Sequence, residues 1–118
     1  MITDYIDKII NGNCVDVMKQ LPDNSIDLVV TSPPYDNLRT YKGYTFPFED
    51  IVAQLYRIIK EGGVVVWVVS DATVNGSETC TSFRQALTFV AKGFKLHDTM
   101  IFQKTNPVPQ IYRKRYTN

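Results

Sequence analysis

Apolar positions along this chain follow two different spacings. Cys14, Val17, Met18 and Leu21 recur at i, i+3, i+4 and i+7, which predicts a helix with Asn13 as its N-cap and Pro22-Asp23-Asn24 as its stop. Phe48, Ile51, Val52, Leu55, Ile58 and Ile59 form a second helical stripe. Its first turn carries Glu49 and Asp50, which suit the positive end of a helix dipole, and Glu61-Gly62-Gly63 is expected to end it. A third helix should bury Phe83, Ala86, Leu87 and Val90 and close at Gly93. Other runs lack this spacing. Ile26-Asp27-Leu28-Val29-Val30-Thr31 and Val64-Val65-Val66-Trp67-Val68-Val69 are compact and rich in β-branched residues, as parallel strands covered on both faces would be. Lys8-Ile9-Ile10 before Asn11-Gly12-Asn13 reads as a brief strand running into a turn, and Phe94 to Gln103 as a strand near a sheet edge.

Strands alternating with helices predict an α/β sheet with helical crossovers, in which functional residues collect beyond the carboxyl ends of the strands. The most unusual residues stand at those ends: Gly12-Asn13, Ser32-Pro33-Pro34-Tyr35 and Ser70-Asp71, the last opening a loop that runs to Thr79. Composition narrows the class further. With 118 residues and 44% apolar content the chain suits one core, so residues 1–118 are expected to form a single, partial domain. The longest apolar run, Val64 to Val69, is far short of the roughly twenty residues of a membrane-spanning helix, and no basic-then-apolar leader is visible. A cytoplasmic protein with no membrane partner is expected. Cys14, Cys80 and His97 are isolated, so both cysteines read as thiols, no metal site is indicated and His97 receives no catalytic role. The net charge of +1 is uninformative as a sum, but Lys104, Arg113, Lys114 and Arg115 make the C-terminal end basic.

Two prolines directly after a buried strand stop it, because each lacks an N–H donor and restricts the residue before it. The Pro33 carbonyl is then a fixed acceptor beside the Ser32 hydroxyl, with Tyr35 as an aromatic plate. Acceptors next to a plate suit a flat heterocycle bearing an amino group. The lone pair of such an amine is delocalised into its ring. Drawing its hydrogens toward two acceptors favours the pyramidal nitrogen needed to attack a methyl sulfonium held in line. A base paired in a duplex cannot reach such a pocket without being flipped out.

Thr31-Ser32-Pro33-Pro34-Tyr35 resembles the catalytic (D/N/S)PP(Y/F/W) motif of the DNA methyltransferases that modify adenine N6 or cytosine N4. Ile9 to Cys14, Leu21 to Val30, Glu61-Gly62-Gly63 and Lys104 to Pro109 are similar to segments of the group whose catalytic region precedes its cofactor-binding region. The resemblance implies site-specific methyl transfer from S-adenosylmethionine to double-stranded DNA. It implies a Rossmann-like methyltransferase fold, with Ser32, Pro33, Pro34 and Tyr35 at the target base and Asn13, Thr31 and Ser32 near the cofactor. Asn13 stands where such enzymes often carry aspartate, and Ser32 in the first motif position is commoner in cytosine-N4 enzymes. The group's later FxGxG-type segment and target-recognition region are absent from this sequence. The resemblance therefore implies a catalytic fragment lacking its C-terminal cofactor-binding half and the strands that half supplies, inactive alone and prone to pair through open strand edges, as a homodimer.

Other readings of these residues stay open. The double proline is also a common rigid turn. Tyr41, Tyr44, Phe46 and Phe48 suit either packing or a base path, and Arg113, Lys114 and Arg115 either phosphate contact or a solvated terminus. Asp71 suits either a site or a helix cap. Protein-glutamine methyltransferases share a related motif but place their cofactor segment before it, and the residues ahead of Ser32 leave no room for one. A non-catalytic remnant or assembly module is the reading from another class.

Overall fold

A computed structural model describes residues 1–34 and 46–105. After a single 3-10 turn over Ile2–Tyr5, the elements are α1 (Cys14–Gln20), β1 (Ile26–Thr31), α2 (Phe48–Ile58), β2 (Ile59–Trp67), β3 (Thr73–Val74), β4 (Ser77–Glu78) and α3 (Thr81–Lys92). β1 and β2 pair in parallel, with Leu28 opposite Val64 and Thr31 opposite Trp67, and α2 makes the crossover between them. This is the α/β unit that the sequence predicts. No described helix is long and apolar enough to cross a membrane.

α2 organises the core. Its stripe of Ile51, Val52, Leu55 and Ile58 is buried to 6% exposure or less, each side chain contributing about 1.5–3 kcal/mol. Val15 from α1 and Ile59 from β2 join this cluster, with Val29, Val65 and Trp67 packed against it from the sheet. Arg57 ties α1 to α2. Its guanidinium donates to the Met18 and Leu21 carbonyls at 2.6 and 2.8 Å, adding to the Leu21 N–H that Met18 already accepts at the helix end, and it pairs with Asp23 at 2.6 Å.

The helix does not run to the glycines. It ends at Ile58 and β2 begins at once, because Asn24 and Ser25 donate to the Arg57 and Ile58 carbonyls and draw the chain into the sheet. Glu61-Gly62-Gly63 instead lies within β2, where the register shifts between the pairs Ile26–Ile59 and Leu28–Val64. Gly63 is fixed there by close approach: a methyl group would stand 2.8 Å from the Lys60 carbonyl oxygen and 3.0 Å from that of Asp27.

Three other expectations are overturned. Residues 8–10 and 94–103 form no strand, since no described strand lies alongside to pair with their backbone groups; Ile9, Ile101 and Phe102 are largely exposed. The stripe of α3 faces the wrong way, with Phe83 63% and Leu87 68% exposed. α3 docks instead through Phe89, whose ring lies 5.1 Å from Trp67 and 5.7 Å from Phe48, and through Gln85, which accepts from Trp67 Nε1 at 3.0 Å. The sheet is also covered on one face only. Val29, Val65 and Trp67 face the helices, whereas Leu28, Val30 and Val64 on the other face are more than half exposed.

Candidate active site

The prolines stand where the sheet stops. Val68 N–H donates to the Thr31 carbonyl at 2.9 Å, the last bond of the parallel ladder, and the chain passes directly into Ser32-Pro33-Pro34. Pro33 is buried, Pro34 half-buried and Ser32 exposed. No hydrogen bond among the described residues uses the Ser32 hydroxyl or the Pro33 carbonyl. Tyr35, Tyr41 and Tyr44 lie outside the described residues, as do Arg113, Lys114 and Arg115. Of the four aromatic residues considered for a base path, Phe46 and Phe48 belong to packing: their rings lie 6.3 and 5.7 Å from Trp67.

Asn13 is the predicted N-cap. Its Oδ1 accepts from the Val15 and Asp16 N–H groups at 3.0 and 3.3 Å, which leaves its Nδ2 hydrogens as the free polar atoms of an exposed side chain. No described contact joins Asn13 to Ser32. Thr31 is half-buried opposite Trp67.

Asp71 resolves as a cap. Its carboxylate accepts from Ser82 N–H at 2.7 Å and Ser82 Oγ at 2.6 Å, closing the first turn of α3 from outside the helix. Between Asp71 and α3 rises a feature that sequence reasoning left as loop. β3 and β4 pair antiparallel, Thr73 with Glu78 and Val74 with Ser77, around Asn75 and Gly76 at φ +52° and +77°. Asn-Gly between such residues is a strong hairpin signal, because both residues tolerate the left-handed conformation a tight two-residue turn demands. The described residues contain no group of three or more His, Cys, Asp or Glu side chains able to hold a metal ion.

The candidate edge is thus Ser32 and Pro33 after β1, and the Asp71-anchored hairpin follows β2. Relatives of this chain share a single activity in their names. The orphan methyltransferase M.BamHII of Bacillus amyloliquefaciens is 63% identical over 86 residues, covering 73% of this chain and 32% of its own length. The type II methyltransferase M.BglII of Bacillus subtilis is 39% identical over 72 residues, 55% of this chain and 20% of its own. The type II beta methyltransferase M.BslI of a Bacillus species is 29% identical over 116 residues, 85% of this chain and 13% of its own. The chain therefore spans about a third or less of the length of these relatives. No solved structure matches it. The family described as DNA methylase, of the N6 and N4 methyltransferases, matches residues 26–118, from the first residue of β1 through the double proline and onward, and the chain belongs to that family.

Proposed function

We propose that this chain supplies the base-binding part of a site-specific DNA methyltransferase that moves a methyl group from S-adenosylmethionine to cytosine N4 or adenine N6. The observation that carries this reading is the pair of acceptors unused among the described residues, the Ser32 hydroxyl and Pro33 carbonyl, held at the end of β1 on a backbone that two prolines make rigid. The amino group of a flipped-out base donates to this pair while Tyr35 stacks on its ring. Acceptance of both hydrogens favours a pyramidal nitrogen whose lone pair is no longer conjugated with the ring, and the proton lost on methylation passes through the Ser32 hydroxyl to solvent. Ser32 at this position favours cytosine.

S-adenosylmethionine supplies the electrophilic methyl group when bound. The residues present suit one edge of it. With Oδ1 occupied by the α1 cap, Asn13 has only donors to offer, which fit a ring nitrogen or ribose oxygen of the adenosine. Thr31 and Ser32 border the methyl-transfer side. The remaining contacts belong to a C-terminal cofactor-binding half of a Rossmann-like fold, outside this chain. The chain works in the cytoplasm as a single partial catalytic domain, with Arg113, Lys114 and Arg115 toward DNA phosphates. A second reading, an assembly module without activity, draws support from the uncovered sheet face.

A chimaera separates the two. Replacing the matched segment of M.BamHII by the corresponding residues of this chain should preserve transfer of labelled methyl groups to duplex DNA. Tyr35→Ala should then reduce single-turnover transfer by roughly 5- to 150-fold, as expected for loss of base stacking, and Tyr35→Phe should not. A folded chimaera that transfers no methyl groups would establish the module instead. Equal damage from Tyr35→Phe and Tyr35→Ala would make the hydroxyl, not the ring, the working group.

A further inference from the structure

We propose that the β3–β4 ribbon enters the DNA major groove beside the target base and reads base edges there, with Asn75 and Val74 as the contacts. The inference rests on the DNA reading above and adds a specificity element to it. Its first support is position. Val68 is bonded to Thr31, next to Ser32, and Thr73 follows five residues later, so the ribbon starts no more than about 30 Å from the double proline along even a fully extended chain. Bases repeat about every 3.4 Å along each strand, so the ribbon starts within roughly nine base steps of a base presented to Ser32.

The second support is rigidity. The ribbon stands on Ala72, which is 5% exposed, and Thr79 N–H donates to the Ala72 carbonyl at 2.9 Å. Asp71 locks the following turn onto Ser82 through both carboxylate oxygens. Such a base holds the tip in one direction without covering it, and residues 73–78 are all exposed. A two-stranded ribbon fits a groove about 12 Å wide.

The third support is chemistry. The ribbon, Thr73-Val74-Asn75-Gly76-Ser77-Glu78, carries no lysine or arginine, so it has no cation with which to grip phosphates. Its tip offers instead an amide with two donors and an acceptor, which matches N6 and N7 of adenine, and an apolar side chain suited to a thymine methyl. No hydrogen bond within the described residues uses the Asn75 amide.

The test is enrichment of a randomised duplex library on this 118-residue chain at low salt, compared with Asn75→Gly. Gly-Gly keeps the tight turn while removing the amide, and unchanged thermal melting confirms that the fold is kept. The wild-type chain should enrich particular base pairs, and Asn75→Gly should relax the preference at one or two of them by about 5- to 150-fold, leaving the salt dependence of binding unchanged. Val74→Ala should relax a neighbouring thymine preference. Capture of DNA with the same preferences in wild type and variants, or with no preference at all, overturns the inference and leaves the DNA reading standing. A relaxed preference accompanied by a shallower salt dependence makes Asn75 a phosphate contact and also overturns it. Failure of the wild-type chain to capture any duplex also overturns the inference, while the DNA reading is decided separately by methyl transfer in the chimaera.

Discussion

Arg57 shows how much one side chain outside the functional edge contributes. It holds two carbonyls at the end of α1 and the Asp23 carboxylate, while its own backbone carbonyl receives the chain entering β1. Arg57→Ala should therefore lower stability by about 1.5–3 kcal/mol, the range for hydrogen bonds to a charged group. Arg57→Lys should recover less than half of this, because an ammonium group cannot reproduce the planar fork. Urea unfolding measures both, as a lower midpoint at constant slope; a shift within error of zero for Arg57→Ala would mean that α1 docks by its apolar face alone. Sequence patterning gives no hint of this residue, since an arginine in the last turn of a helix is equally suited to solvent. Ser32 and Pro33 are the opposite case. Their residue types dictate backbone behaviour directly, and both stand where the sequence places them.

Elements were legible in proportion to how local their causes are. α1 follows from its spacing and its Asn13 cap and α2 from its spacing alone, and the structure places both, α2 ending short of the predicted glycines. The edges of sheets depend on partners that no local pattern reveals, so the segments at 8–10 and 94–103 are apolar without being strands. The buried face of α3 was misjudged for a related reason: Trp67 and its hydrogen bond to Gln85 decide the docking, against the apolar count on the helix itself. The hairpin was available in Asn75-Gly76 and was passed over because its strands are only two residues each. Asp71 had two roles open, and the structure shows the capping one. As the external cap of α3 it should cost about 0.5–2 kcal/mol when changed to alanine, detected as loss of helical circular dichroism at a lower temperature. If Asp71→Ala melts like the wild type, the paired contacts to Ser82 are not what starts the helix.

At the scale of the molecule, the uncovered face of the sheet decides behaviour. Leu28, Val30 and Val64 are neighbours across the parallel pair, and all are exposed. Strands apolar on both faces belong to sheets covered on both. The chain should therefore self-associate at high concentration, as a dimer by light scattering, and Val30→Lys at the centre of the face should restore the monomer. A strict monomer for the wild type would rule out this face as an association surface. The direct join of Ile58 to Ile59 has a different kind of consequence. With no connecting residue between helix and strand, and with Asn24 and Ser25 bonded to the helix end, that pole of the unit has no hinge. An inserted residue there would find no slack, and a rotation of α2 would carry β2 with it.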